Sequence, residues 1–200
     1  YVDFLKQTDD PEKQQEYLQV LDEKSQRLKK LIDDLVQASK AASGNIEVNI
    51  MPLNLCEFAT QIIGENEDEF KANGIEFVLK LPDESVNVLA DGNVTSRIFE
   101  NLLSNIRKYA LKGTRVYVEV TSGEGYSAIS FKNVSALPLE SDGEKLTERF
   151  YRGDSSRTGE GSGLGLSIAR DLCTAQGGKL NIETDGDLFK ATIVMPKVKD

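Results

Sequence analysis

The first part of the chain carries a helical pattern of apolar residues. Over residues 12–42 no Gly or Pro interrupts the sequence, and a mostly apolar set steps by three and four: Tyr17, Leu21, Lys24, Leu28, Leu31, Leu35 and Ala38. This spacing is typical of the seam of a coiled coil or four-helix bundle. Residues 1–7, followed by a break at 8–11, indicate the end of a preceding antiparallel helix. Because a Ser-Gly-Asn run at 43–45 would end the long helix, we predict a truncated helical hairpin over residues 1–44 and a second domain over 45–200.

The remainder of the chain alternates between helical and strand-like patterns. Helical periodicity predicts helices over residues 54–72, 91–111, 141–149 and 164–176. Short alternating runs predict strands over residues 75–81, 86–90, 114–121, 127–132, 179–184 and 188–195. Together these elements predict an α+β fold: a two-layer α/β sandwich with a mixed sheet and helices on one face, preceded by the long hairpin helix.

Composition and charge narrow the range of partners. Hydrophobic residues make up 39% of the chain, enough for a packed core, and no apolar run reaches the roughly 20 residues of a membrane span. The net charge of −9 disfavours DNA and RNA, whereas a locally positive pocket can still bind a single nucleotide. We therefore expect no nucleic acid partner and no direct membrane contact by this chain.

Two residue types bear on possible chemistry by their scarcity. The chain contains no His, which excludes Ser-His triads and His-based metal sites within it. The two cysteines, Cys56 and Cys173, lie in apolar helical patterns without a CxxC motif, and we expect reduced thiols.

A polar stripe interrupts the helix predicted over residues 91–111. Asn101 and Asn105 are i, i+4 neighbours, and Lys108 follows on the same edge, beside a broad apolar face. Asn is unfavourable in the middle of a helix, because its amide competes for backbone hydrogen bonds. A pocket in which both amide oxygens meet Mg²⁺ would explain the pair, since Mg²⁺ prefers hard oxygen ligands. Two solvated Asn side chains on an exposed edge are the alternative.

Alternating glycines precede the helix predicted over residues 164–176. Gly161, Gly163 and Gly165 would let backbone N–H groups approach a phosphate, at a helix end that adds partial positive charge. The run is neither a Walker A loop nor a convincing dinucleotide-binding fingerprint. A flexible loop that simply starts a helix is the alternative.

Basic residues lie just before these glycines. Arg149, Arg152 and Arg157 concentrate positive charge in an otherwise acidic chain. Guanidinium groups beside a Gly-rich loop suit phosphate binding. A solvated basic loop is the alternative.

Taken in order, these stretches resemble the ATP-binding motifs of sensor histidine kinases. Residues 101–110 (NLLSNIRKYA) are similar to the N box, 146–157 (LTERFYRGDSSR) to the F box and 161–170 (GSGLGLSIAR) to the G2 box. Residues 176–196 resemble the closing hairpin of the same domain. The N-terminal helices resemble the dimerisation and histidine-phosphotransfer hairpin, so the resemblance covers nearly the whole chain.

The resemblance implies an ATP-binding catalytic module of a two-component system, with ATP and Mg²⁺ as cofactors. Mg²⁺ would bind Asn105 together with Asn101. Lys108 and Tyr109 would face the phosphates and sugar, and Asn133 the adenine. The phosphates would be held by the following residues: Arg152, Arg157, Gly161, Gly163, Leu164, Gly165 and Leu166.

The resemblance also implies a phosphorelay and its partners. The γ-phosphate would pass to a His that we expect upstream of Tyr1, and then to an Asp of a response regulator docked on the hairpin. The full-length protein would be a homodimer through a four-helix bundle, and this chain the cytoplasmic part of a membrane-anchored sensor. Without the acceptor His, the chain alone would not phosphorylate itself.

One stretch departs from the family pattern. Where the G1 box normally has an Asp followed by glycines, residues 131–138 read FKNVSALP, so Asn133 replaces the Asp and the glycines are absent. An Asn oxygen still accepts a hydrogen bond from an amino group, although it lacks the charge. Gyrase-type, mismatch-repair and chaperone ATPases, or serine kinases of the same fold, are the alternative function. A degenerate module that only dimerises is a third reading.

Overall fold

The N-terminal part of the protein is a helical hairpin. The computed structural model describes residues 1–42, 46–139, 142–151 and 162–198. Helix α1 spans Val2–Gln7, and α2 spans Pro11–Ala42. The rings of Tyr1 and Phe4 pack on Tyr17 with centroids 5.8 and 5.9 Å away, which joins the two helices. The predicted domain boundary at 43–45 lies outside the described residues and stays a prediction.

Three helices of the second part begin and end near the predicted positions. Helix α3 spans Leu55–Ala72, α4 spans Gly92–Tyr109 and α5 spans Gly165–Ala175. The side chain of Asn54 caps α3 by accepting from the backbone of Cys56 and Glu57, and Asp91 caps α4 in the same way. Asn and Asp side chains compete for backbone hydrogen bonds inside a helix, whereas at its start they accept from free backbone N–H groups. Both residues are therefore favourable caps.

A five-stranded mixed sheet forms the other layer. Its order is β2-β4-β5-β7-β6, with β2 parallel to β4 and the other neighbours antiparallel. Strand β2 spans Glu76–Lys80, β4 spans Arg115–Ser122 and β5 spans Tyr126–Val134. Strand β6 spans Lys179–Asp185 and β7 spans Leu188–Pro196. Alternate residues of β4, β5 and β7 are buried, as a sheet covered on one face requires. The predicted α+β sandwich is confirmed.

The core lies between this sheet and the three helices. Phe99 of α4 contacts Phe131 of β5 and Phe58 of α3 edge-on, with ring centroids 5.3 Å apart in both pairs. Ile98, Leu102 and Ile106, each four residues apart on α4, are almost wholly buried. Because this apolar face is fixed against the sheet, the polar edge of α4 has a defined orientation.

Two local features differ from the prediction. Strand β1, Met51–Asn54, was not predicted, and it pairs antiparallel with β3, Asn87–Ala90, in a separate two-stranded sheet. Its four residues include a Pro, which weakens any strand signal. The helix predicted over 141–149 is instead a 3₁₀ turn, Gly143–Thr147. There the backbone approaches β6 so closely that a Cβ on Gly143 would overlap the carbonyl of Ile182.

Candidate functional site

The polar edge of α4 faces the start of α5. Asn101 and Asn105 are partly buried, Lys108 is exposed and Tyr109 is partly buried. The Nδ2 of Asn101 donates to the carbonyl of Arg97 at 2.8 Å, which leaves its Oδ1 as the outward group. A Cβ added to Gly165 would lie 3.3 Å from that oxygen. The structure therefore places Asn101 beside Gly165, the last glycine of the run. That Asn105 and Lys108 belong to the same site stays a prediction.

Gly163 lies in a tight backbone contact just before α5. Gly163 has φ +68, and a Cβ there would lie 2.9 Å from the carbonyl oxygen of Tyr151. Its own carbonyl accepts from the backbone N–H of Phe150 at 3.0 Å. Backbone contacts thus join Gly163 to Phe150 and Tyr151. Only Gly fits here, because φ is positive and the neighbouring backbone leaves no space for a side chain.

The N-terminus of α5 has the properties of an anion site. Leu164, the N-cap, is buried and offers no side-chain cap, and the first turn contains no acidic residue. Leu166 is partly buried and packs against the core. The free N–H groups and the positive end of the helix dipole favour a bound phosphate. Arg152, Arg157 and Gly161 lie outside the described residues, so their predicted contacts with phosphate stay predictions.

Arg149 forms an ion pair with α5, whereas its basic neighbours Arg152 and Arg157 were predicted to bind phosphate. Its Nη2 donates to Asp171 of α5 at 2.8 Å, so its charge is paired on the side of that helix. Arg170 donates to Thr147 Oγ1 at 3.0 Å. These contacts attach the 3₁₀ turn to α5 and position the residues that lead into the glycine loop.

Asn133 lies on β5 as a buried acceptor without a partner. Its side chain is 4% exposed, and its Nδ2 donates to the carbonyl of Val134 at 3.1 Å. That bond fixes the amide orientation, since the oxygen in its place would face another acceptor. The Oδ1 is fully buried and has no hydrogen-bond partner within the described part of the chain. An unsatisfied buried acceptor costs about 1–3 kcal/mol, which favours a donor such as an amino group or a water at this point.

The stretch after Asn133 runs beside the end of α4. Ala110 forms an antiparallel bridge with Ser135, and Ala136 N–H donates to the carbonyl of Tyr109 at 2.7 Å. These contacts hold Asn133 near the half of α4 that carries Asn105 and Tyr109. The divergent stretch at 131–138 is therefore well anchored despite lacking the family glycines.

Comparison with known proteins bears on this arrangement. The sequence model of one family, described as histidine kinase-, DNA gyrase B- and HSP90-like ATPases, matches residues 90–198. The chain belongs to this ATPase family. The matched region contains every residue that we predicted to contact ATP or Mg²⁺.

The named relatives of this chain include sensor histidine kinases. The chain is 32% identical to the sensor histidine kinase WalK of Bacillus subtilis, over 88% of this chain and 30% of that protein. It is 27% identical to the sensor protein kinase WalK of Staphylococcus aureus, over 96% and 47%. The chain therefore spans less than half the length of these relatives.

Several solved structures share the fold of this chain. Full-length ShkA in complex with AMPPNP matches with a TM-score of 0.82 and 21% identity, over 98% of this chain and 41% of that one. The Acinetobacter baumannii histidine kinase AdeS matches with a TM-score of 0.75 and 16% identity, over 91% and 84%. ThkA in complex with the response regulator TrrA matches with a TM-score of 0.70 and 20% identity, over 96% and 54%.

The donor set of the candidate site suits a metal held jointly with phosphate. Within the ranges described above, no group of three or more His, Cys, Asp or Glu side chains could hold a metal ion. Two Asn oxygens alone form a weak site, but Mg²⁺ commonly takes most of its ligands from phosphates and water. Asn101 and Asn105 therefore fit Mg²⁺ only together with a nucleotide.

Three further features of the chain lie outside this site. Over the described residues, no helix has both the length and the apolar character of a membrane span. Neither cysteine forms a disulfide, and burial raises the pKa of Cys173 to about 12. A surface cavity of about 460 Å³ lies at the N-terminal end of α4, between Phe58 and Asn93, far along the helix from Asn105.

Sequence patterns missed two contacts of the elements that form the site. Ser162 Oγ donates to Asp34 Oδ2 of α2 at 3.0 Å, which joins the hairpin helix to the glycine loop. Gln176 at the end of α5 accepts from the backbone of Asp91 at the start of α4. No local pattern pairs residues this far apart in sequence. The only local signal was a polar residue that ends an apolar helix.

Proposed function

We propose that this chain is the ATP-binding catalytic module of a sensor histidine kinase, with residues 1–44 belonging to the phosphotransfer hairpin and 45–200 to the catalytic domain. Membership of the ATPase family and the named relatives support this assignment. The observation that carries it is the placement of Asn101 against Gly165, at the uncapped start of α5. That arrangement offers amide oxygens and free N–H groups to the same phosphates.

The residues of α4 and the glycine loop would position the triphosphate. Asn105 and Asn101 would hold Mg²⁺, while Lys108 would neutralise phosphate charge and Tyr109 would border the sugar. The metal supplies neutralisation of the charge that spreads over the transferring phosphoryl group. The backbone N–H groups from Gly161 to Leu166, with Arg152 and Arg157, would hold the phosphate oxygens in line for transfer. Little covalent chemistry is required of the protein.

Asn133 would select the base. Its buried Oδ1 lacks a donor among the described residues, and an adenine amino group supplies one. Guanine presents a carbonyl oxygen at the corresponding position, which would leave two acceptors facing each other. We therefore expect a preference for ATP over GTP even without the charge of the usual Asp.

The acceptor and partners lie outside this chain. Since the chain contains no His, the phosphoryl group would pass to a His elsewhere in the full-length protein and then to an Asp of a response regulator. Six apolar residues of α2 are 37–59% exposed and support a homodimer through a four-helix bundle: Leu18, Leu28, Leu31, Ile32, Leu35 and Val36. We place the chain in the cytoplasmic part of a membrane-anchored sensor.

Calorimetry with a matched pair of variants tests the metal and nucleotide assignment. Asn105→Ala should abolish the Mg²⁺-dependent part of ATP affinity, because it removes the proposed ligand. Asn66→Ala is the control, since Asn66 is another mid-helix Asn, on α3, that donates to the carbonyl of Ile62. Unchanged Mg²⁺-dependent binding in Asn105→Ala would refute the assignment, and loss in both variants would indicate a general helix effect.

A labelling experiment separates the kinase from its alternatives. Incubated alone with labelled ATP, the chain should bind nucleotide without labelling itself. Mixed with a longer version that carries the acceptor His and an Asn105→Ala change, it should place an acid-labile, base-stable label on the longer chain. An acid-stable label on this chain alone would instead indicate transfer to Ser or Thr.

A further inference from the structure

A buried amide joins the far ends of α4 and α5. Gln176 is 5% exposed, and its Oε1 accepts from the backbone N–H of Asp91 at 2.6 Å and from Thr95 Oγ1 at 3.3 Å. Its Nε2 donates to the carbonyl of Leu172 at 3.4 Å. The two bonds to α4 use both lone pairs of the oxygen, so this side chain is fully committed to the helix pair.

The helix end that carries this amide is rigidly built. Gly177, with φ +73, donates to Thr174, and Gly178 donates to Cys173 at 2.9 Å. This is a Schellman motif, in which Gly177 adopts the left-handed conformation that ends the helix. A Cβ on Gly178 would lie 2.6 Å from the carbonyl oxygen of Val194. The backbone around Gln176 is thus fixed against β7.

The helix pair makes a second close contact at its other end, where Gly165 meets Asn101. At 1.5 Å per residue, Asp91 to Asn101 spans about 15 Å and Gly165 to Gln176 about 16.5 Å. The two spans match to about 1.5 Å, as two antiparallel helices in fixed register require. Between these ends the buried side chains of α4 and α5 are mostly apolar. Apolar packing is not directional, whereas a hydrogen bond tolerates only a few tenths of an ångström.

We propose that Gln176 is a positioning residue for the nucleotide: it sets the axial register of α5 on α4, and thereby the distance between the phosphate-binding start of α5 and the metal-binding edge of α4. This role rests on the proposed function. Gln176 does not itself touch the nucleotide. Its effect is confined to the triphosphate end of the site, because Asn133, which faces the base, is carried by β5 and not by either helix.

The test compares the affinity for a nucleotide that has the triphosphate with the affinity for adenosine, which lacks it. Gln176→Leu removes the acceptor with little change in volume, and Thr95→Val removes only the longer of the two bonds. Each variant is titrated with Mg·AMPPNP and with adenosine, well below its unfolding midpoint. Val116→Ala, a fully buried change on β4, is the control for lost stability alone.

We expect Gln176→Leu to weaken Mg·AMPPNP about tenfold or more, since displacements of about 1 Å have effects of that order. Adenosine affinity should change less than twofold, Thr95→Val should be intermediate, and Val116→Ala should affect neither ligand. Equal losses for both ligands, or unchanged Mg·AMPPNP affinity in folded Gln176→Leu, would overturn the positioning role. If Gln176→Leu does not fold, Thr95→Val decides by the same comparison of the two ligands. If the unaltered chain binds no Mg·AMPPNP, the proposed function fails, and the positioning role fails with it.

Discussion

The carboxylate of Asp91 accepts hydrogen bonds from three backbone N–H groups, and the effect of removing them on the free energy of unfolding can be calculated. Its Oδ1 accepts from Asn93 and Val94 at the start of α4, and its Oδ2 accepts from the backbone N–H of Asn49 at 2.8 Å. The carboxylate is 8% exposed. One side chain therefore caps a helix and also fastens the segment that leads into β1.

The magnitude follows from these contacts. Losing a helix cap costs about 1 kcal/mol, and losing a hydrogen bond to a charged group costs about 1.5–3 kcal/mol. Asp91→Ala should therefore lower the free energy of unfolding by about 2.5–4 kcal/mol. Asp91→Asn keeps one oxygen for the cap but turns an NH₂ toward Asn49, so it should lose about 1.5–3 kcal/mol. Asp142→Ala is the control, because Asp142 is exposed and caps the 3₁₀ turn through an exposed bond from Glu144.

The same variants predict a pH dependence. The bond from Asn49 holds the pKa of Asp91 below its ordinary value of 3.8, assisted by Val94 and Asn93, while burial opposes the shift. A lowered folded pKa means that the stabilisation is complete above the unfolded pKa and is lost as pH falls through the folded one. The difference between the unaltered chain and Asp91→Asn should be constant from about pH 7 to 5 and shrink below about pH 4.

Urea unfolding followed by circular dichroism, at pH 7 and at pH 3.5, measures these differences. The reasoning fails if Asp91→Asn is as stable as the unaltered chain at pH 7. It also fails if Asp142→Ala loses as much as Asp91→Ala, because burial would then be irrelevant. A gap that widens toward low pH would contradict the assigned direction of the pKa shift.

Three other predictions concern the loop, the thiols and the hairpin. Gly163→Ala should destabilise the chain more than Gly125→Ala, because both have positive φ but only Gly163 has backbone within 3 Å of the added Cβ; equal losses in urea unfolding would count against the close contact. The buried Cys173, with its pKa raised to about 12, should resist a thiol reagent at pH 8 until the protein unfolds, whereas the partly exposed Cys56 should react; mass spectrometry showing two modified thiols in the folded chain would contradict this. Any dimer seen by light scattering should be weak and should be abolished by Leu28→Asp, and a tight dimer that survives this change would mean that another surface is responsible.

Local patterns predicted most of the fold because they reflect local physics. The apolar spacing on α4 follows from interactions within a few residues, and it is confirmed. Strand β1 was missed because its pairing with β3 is supplied by a distant segment and its own four residues include Pro52. The 3₁₀ turn was predicted as a helix because the close approach of Gly143 to β6 has no signature in sequence.

In the candidate site, too, features set by local interactions were predicted, and features set by distant segments were not. The Asn stripe and the glycine run were visible because each lies on one element, and the structure brings Asn101 and Gly165 together. The lack of a donor for Asn133 Oδ1 could not be predicted, since it depends on every neighbour of a buried atom. The pairing of Arg149 with Asp171 likewise depends on how the 3₁₀ turn lies against α5.

The strand order has a consequence for how the protein is made. β7 comes last in sequence among the strands of the sheet. It nevertheless lies between β5 and β6 and pairs with β5 along its whole length. On a ribosome adding about 5–20 residues per second, β5 waits roughly 3–12 s for this neighbour, with one edge unpaired and the face around Asn133 incomplete. The nucleotide pocket therefore cannot close on a nascent chain until β7 has left the exit tunnel. Premature termination anywhere before it would leave an open sheet edge prone to aggregation rather than a smaller working domain.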